Sequence, residues 1–269
     1  MPLSPLVRRY DQLILDLDGC IYVGDQPVPG AVDAVDRLRD AGKRVSFATN
    51  DPRHATEEYV TKLWGIGIRA SLADVVTVGG AMQHLLAETR RGRTAFVIGT
   101  QPLLRHVADA GLRVLNGTDL ASRAEVVVVG GTEELVYDDL RQASLALRRG
   151  ADFLATGRDP TYPQPDGLWP GTGAIVAAVE YATGREATIV GKPEPQLFIT
   201  ALDRLGAGRT LVVGDRLDSD VAAARRAGLD AALVLSGGTS AQDAAAAETD
   251  ANAPKPVAVA ESLAALVGG

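Results

Sequence analysis

Leu13-Ile14-Leu15-Asp16-Leu17-Asp18-Gly19 lies near the start of the chain. An unbroken aliphatic run that stops at acidic residues and a glycine reads as a strand buried on both faces, opening into a loop at its carboxyl end. Similar runs recur: Val45-Ser46-Phe47-Ala48, Phe96-Val97-Ile98, Val126 to Val129, Thr188-Ile189-Val190, Leu211-Val212-Val213 and Ala232-Leu233-Val234-Leu235. Helical spacing fills the intervals at 30–41, 137–149, 194–205 and 218–227, with Gly42, Gly206 and Gly228 as stops. Residues 241–255 read as a surface helix running into a loop, before a final strand and helix. Strands alternating with helices predict an α/β fold built on a doubly wound parallel sheet.

Composition narrows the chemistry. The net charge is −7 and Lys and Arg form no dense run, so nucleic acid bound through a general basic surface is not expected, whereas a small anion could be held by local positive groups or a metal. The single cysteine, Cys20, excludes an intramolecular disulfide and a thiolate zinc cluster. His54, His84 and His106 form no pair with metal-ligand spacing. The chain lacks an apolar run of about twenty residues, so no membrane span is expected. Its start lacks the apolar stretch of a signal peptide, and a reducing cytoplasm is the expected location.

Four of the predicted strands end in polar groups that complement one another. These are Asp16-Leu17-Asp18-Gly19, Thr49-Asn50, Gly191-Lys192-Pro193 and Gly214-Asp215-Arg216-Leu217-Asp218-Ser219-Asp220. In open α/β sheets, ligands bind outside the carboxyl ends of the strands, so these groups should converge. Asp16 and Asp215 suit a hard cation such as Mg²⁺. Lys192 is a point charge suited to a phosphate oxygen. Thr49 and Asn50 add a hydroxyl, an amide and backbone N–H groups. A carboxylate beside a divalent cation can attack phosphorus. Asp16 and Asp18, two apart in extended chain, would face the same side, one attacking while the other handles the leaving-group proton.

In this order and at these positions, the four segments resemble the motifs of the haloacid dehalogenase superfamily. Asp16 to Tyr22 followed by Pro27-Val28-Pro29-Gly30-Ala31, with Phe47-Ala48-Thr49-Asn50 and Gly191-Lys192-Pro193-Glu194-Pro195, resembles the NagD-type branch, class IIA. That resemblance implies a Mg²⁺-dependent phosphatase acting on a small phosphorylated metabolite through an aspartyl-phosphate on Asp16. It implies that Asp18 is general acid and then base, and binds the metal through its backbone carbonyl. Thr49, Asn50 and Lys192 would hold the phosphoryl group, Asp16 and Asp215 the metal, and Asp220 would orient Lys192. The chain departs from the branch at Asp51, where many relatives have Asn, and at Cys20, where Thr is frequent. Arg53 is a candidate partner for Asp51, and Cys20 reads as a small buried hydrophobe.

About 140 residues separate Thr49-Asn50 from Gly191-Lys192, and this interval has its own strand–helix pattern. The resemblance implies a discontinuous core of residues 1–91 and 188–269 carrying an inserted α/β cap of residues 92–187. Such caps roof the active-site crevice, and relatives often form homodimers through them. Ala155 to Pro163 resembles the branch's specificity loop, with Arg158, Asp159 and Tyr162 as candidate substrate contacts. A free Arg158 would favour a carboxylated or otherwise anionic ester.

Other readings fit less well. A Walker-type nucleotide site fails because Pro193 follows Gly191-Lys192 where Ser or Thr is needed. The first strand is not followed by the Gly-x-Gly-x-x-Gly of a dinucleotide site, and residues 215–220 lack the later Gly and Glu of a calcium loop. A phosphotransferase of the same superfamily and a non-catalytic phosphate- or partner-binding protein remain as alternatives.

Overall fold

The computed structural model describes residues 2–268 except 165 and 166, and the side chains of 162–168 also lie outside the description. The chain forms two compact units. One comprises Met1–Thr49, Thr56–Val76 and Lys192–Gly269; the other comprises Asn50–Ala55 and Thr77–Gly191.

The first unit is built on a six-stranded sheet. Its order is Ala258–Ala260, Asp230–Val234, Thr210–Gly214, Gln12–Asp16, Arg44–Thr49 and Val75–Thr77. From Ala258–Ala260 to Arg44–Thr49 each pairing is parallel. The two central strands, Gln12–Asp16 and Thr210–Gly214, are buried along their whole length. Covering helices shield both sheet faces from water, which is why these strands read as continuous aliphatic runs and not as alternating patterns. Leu13, Leu15, Phe47, Leu211 and Val213 sit at the centre of this unit's core.

Helix Ala31–Asp40 buries Ala31, Ala34, Val35 and Leu38. It ends where Gly42 takes a φ of 75°, a left-handed conformation that residues with a Cβ rarely adopt. The predicted helix 218–227 differs in kind. A wide π-helical turn, Leu217–Val221, precedes a short α-helix at Ala222–Arg226. The Val221 N–H reaches back five residues to the Arg216 carbonyl at 3.2 Å. This widened turn sets the position of Asp220.

The second unit holds a five-stranded parallel sheet in the order Thr188–Ile189, Asp152–Ala155, Val126–Val129, Thr94–Ile98 and Arg113–Val114. Its own core includes Phe96, Val127, Val129, Phe153 and Val176. An antiparallel hairpin pairs Thr161–Gln164 with Gly167–Pro170. Helix Val78–Thr89, assigned from sequence to residues 1–91 of the core, groups with this unit. It packs on helix Gln101–Asp109, where His106 Nδ1 and Gln83 Oε1 are 2.7 Å apart. No helix among the described residues is long and apolar enough to cross a membrane.

Phe47 is fully buried in the first unit's core, whereas Tyr181 is 96% exposed. Phe47→Ala should lower unfolding free energy by about 3–5 kcal/mol, and Tyr181→Ala should change it by less than about 0.5 kcal/mol. Urea titrations of the two variants provide the check, and equal losses would contradict this placement of the core.

Candidate active site

Asp16, Lys192, Asp215 and Asp220 are all buried in the first unit. Asp16 closes the strand Gln12–Asp16, and Asp215 follows the last residue of the neighbouring strand Thr210–Gly214. Parallel pairing brings the carboxyl ends of these strands side by side, so both carboxylates emerge at the same edge of the sheet. Carboxylate oxygens of Asp16, Asp215 and Asp220 lie within 4.8 Å of one another.

Lys192 Nζ lies among them. It donates to Asp16 Oδ1 and, at 2.6 Å, to Asp220 Oδ1. Asp220 Oδ2 accepts the Arg216 N–H at 3.1 Å. Both oxygens of Asp220 are thus engaged within the protein, which leaves Asp16 and Asp215 better able to bind a cation. The donor set fits a divalent ion: three carboxylates against one ammonium leave excess negative charge, and all three offer hard oxygen atoms.

The electrostatics follow from burial. Desolvation pushes Asp16 well above the usual carboxylate range; Lys192 opposes this, and the charges of Asp220 and Asp215 add to it. Burial, and then Asp220, raise Asp215 to about 6. The flanking carboxylates hold Lys192 above its ordinary value despite burial, so the ammonium stays charged.

A short strap beyond the strand Asp230–Val234 completes this cluster, and sequence reasoning missed it. The Gly238 N–H donates to Asp215 Oδ2, and the Thr239 N–H donates to the Asp215 carbonyl at 3.0 Å. Ser236 Oγ donates to the Gly19 carbonyl at 2.7 Å. A Cβ on Gly237 would lie 2.1 Å from Asp215 Oδ2, and one on Gly19 would lie 2.4 Å from it. Only glycine admits the carboxylate so closely at either position. The signal was present as Ser236-Gly237-Gly238-Thr239 after an apolar run, a fifth strand end of the same kind.

The other candidates are placed as follows. Asp18 is exposed and lies beyond the strand, which ends at Asp16; it forms a bridge with Tyr22. The two-residue alternation of a strand therefore does not position Asp18, and the turn at Gly19 does. Thr49 is buried at the end of Arg44–Thr49, one residue past Ala48, the register partner of Asp16. Asn50 groups with the second unit, where a Cβ on Gly191 would lie 2.3 Å from its Oδ1. Arg53 meets Asp51 through Nε at 2.8 Å and a second nitrogen at 2.9 Å. Burial raises the Asp51 carboxyl, but the Arg53 pairing outweighs it and holds the group below its ordinary value. Cys20 is buried, and desolvation pushes its thiol well up, in keeping with a packing role.

Arg158 is not free. Its guanidinium forms two bonds to Glu180, at 3.0 and 2.6 Å, and this bidentate pair corrects the expectation of a free Arg158. Asp159 lines a cavity of about 630 Å³ in the second unit, together with Asn50, Thr100, Thr132, Glu133 and Glu134. The side chain of Tyr162 lies outside the described residues.

Comparisons with known proteins bear on the family and the fold. A family model described as haloacid dehalogenase-like hydrolase matches residues 13–113, and one described as HAD-hydrolase-like matches 189–266. The chain is 38% identical over 247 residues to D-glycerol 3-phosphate phosphatase of Mycobacterium tuberculosis, covering 91% of this chain and 69% of that protein. The crystal structure of glycerol phosphate phosphatase from the same organism, in complex with magnesium, superposes with a TM-score of 0.90 at 36% identity, covering 98% and 78% of the two chains. NagD from Escherichia coli K-12 superposes with a TM-score of 0.85 at 28% identity, covering 94% and 97%.

Replacing Lys192 by Met removes the ammonium that offsets three buried carboxylates. The variant should lose about 3–5 kcal/mol of stability near neutral pH. Asp16 and Asp215 then have folded-state pKa values even further above their unfolded ones, so the penalty should shrink below about pH 4 and grow as pH rises. Denaturant titrations at several pH values test both the size and the sign.

Proposed function

From its place in the haloacid dehalogenase-like hydrolase family, to which this chain belongs, we propose that it is a Mg²⁺-dependent phosphatase of small phosphate monoesters. The observation that carries this reading is the buried cluster of Asp16, Asp215 and Asp220 around Lys192 at the carboxyl edge of the sheet.

Asp16 and Asp215 would hold Mg²⁺, with the Asp18 backbone carbonyl as a further ligand. The ion supplies charge neutralisation on the phosphoryl oxygens and keeps Asp16 ionised against its burial. An Asp16 carboxylate oxygen attacks phosphorus and the bond to the leaving oxygen breaks, giving an aspartyl-phosphate. Asp18 protonates that oxygen, then takes a proton from water, whose attack on phosphorus releases orthophosphate and restores Asp16. Lys192, Thr49 and Asn50 hold the phosphoryl oxygens, with Lys192 oriented by Asp220. The second unit acts as the cap that selects substrate.

For the substrate, a phosphate ester of a small neutral polyol is favoured over a carboxylated one. The relative from M. tuberculosis is named for glycerol 3-phosphate. Arg158 pairs with Glu180 and Arg53 with Asp51. Asn50, the residue after Thr49, lines a cavity whose walls carry carboxylates of Asp159, Glu133 and Glu134 and hydroxyls of Thr100 and Thr132. Such walls repel a carboxylate and accept hydrogen bonds from a polyol.

The test is phosphate release from glycerol 3-phosphate, sugar phosphates, phosphoglycolate and 4-nitrophenyl phosphate, with Mg²⁺ and with EDTA. Release should require the metal, favour the polyol esters and vanish in Asp16→Asn. Asp18→Asn should lose about 100- to 10,000-fold in rate while retaining metal binding. No metal-dependent release from any ester would overturn the assignment. A second outcome concerns pH. Asp215 gains its proton below about 6, and proton and cation compete for the same oxygens. The rise in melting temperature produced by Mg²⁺ should therefore diminish as pH falls below 6, and a rise independent of pH would exclude Asp215 as a ligand.

A further inference from the structure

The first unit carries a further concavity, a cleft of about 560 Å³ lined by Arg39, Lys43, Arg44, Arg69 and Arg204, with Asp74 the only acidic side chain in its wall among the described residues. Arg44 opens the strand Arg44–Thr49, whereas Thr49 closes it. The cleft is therefore at the amino edge of the sheet, roughly 16 Å by strand rise from the Asp16 end.

Four of the five cations of this cleft are held in place by backbone carbonyls without being neutralised. Arg44 donates to the Ala207 carbonyl at 2.6 Å and to the Leu205 carbonyl. Arg204 donates to the Val75 carbonyl at 2.8 Å, Arg39 to the Arg69 carbonyl and Lys43 to the Tyr10 carbonyl. Among the described residues none of the five forms an ion pair. Asp74 Oδ2 is occupied by the N–H and hydroxyl of Ser71, at 2.8 and 2.9 Å. Partial burial pushes Arg204 below its ordinary value, with no carboxylate to counter it.

Cations in a last helical turn answer the helix dipole, which explains Arg39 and Arg204 individually. It does not explain why five cations surround one cavity in a chain of net charge −7. Like charges gathered this closely repel, and the carbonyl anchors have already cost Arg39, Lys43, Arg44 and Arg204 their rotamer freedom. Anchored guanidinium groups with donors to spare suit phosphate oxygens. We propose that this cleft is a second anion site, taking the phosphate groups of a small, multiply charged phosphorylated metabolite apart from the Asp16 cluster.

The test titrates tripolyphosphate in EDTA by calorimetry into Asp16→Asn protein, which cannot hydrolyse it. Saturable binding should weaken at least about tenfold when Arg69→Glu or Arg204→Gln is added. Arg225→Glu, an equal change of charge at an exposed position of the same unit, should leave binding unchanged. With Asp16 intact, Arg69→Glu should hydrolyse monoesters normally, which shows that the variant is folded. Absence of binding up to about 1 mM, or equal binding in the Arg69→Glu, Arg204→Gln and Arg225→Glu proteins, would overturn the proposal and leave the five cations as helix-end and loop anchors.

Discussion

One ammonium between two carboxylates ties the core of this protein together. Lys192 is reached only after the chain has completed the second unit, yet its Nζ closes on Asp16 from the first strand and on Asp220 from a widened helical turn. Removing either kind of charge would leave the other buried and uncompensated. The interaction therefore constrains three distant stretches of chain at once. The π-helical turn at Leu217–Val221 is one consequence, since it brings the Asp220 carboxylate to Lys192 while its second oxygen takes the Arg216 N–H.

Charge is unevenly distributed in the first unit, and the sheet's polarity provides the two locations. At the carboxyl edge, three carboxylates outnumber one lysine, and the glycine strap packs Gly237 and Gly238 against Asp215. At the amino edge, where helices Ala31–Asp40 and Gln196–Leu205 end, five cations face one aspartate. A parallel sheet covered by returning helices separates these edges by its own length, so excess negative and positive charge coexist without cancelling.

The second unit treats its charges differently. Arg53 is paired with Asp51 and Arg158 with Glu180, so both arginines are neutralised locally. Its cavity is lined by carboxylates, amides and hydroxyls together with Arg53, His54, Pro52 and Pro170. Asp51, where relatives often have Asn, is made tolerable by Arg53 two residues later, a compensation within a single turn of chain.

The sequence by itself determined the parallel sheet and the residues at its carboxyl edge. Strands buried on both faces must be continuously apolar, and polar residues ending such runs can only emerge at the strand ends. Asp16, Thr49 and Asp215 were legible for that reason, whereas Lys192 follows Thr188–Ile189, a strand of the second unit's sheet that is not buried. Only the tertiary structure decided which charges meet. The pairing of Arg158 with Glu180 joins a loop to a helix 22 residues later, and no local periodicity encodes it. The same holds for Lys192 with Asp16, 176 residues apart, and for the strap that encloses Asp215. Helix Val78–Thr89 joined the second unit and packs on Gln101–Asp109, although the family resemblance placed the boundary after it. Local pattern follows from the backbone's periods of two and 3.6 residues, whereas long-range charge pairing depends on which surfaces folding brings together.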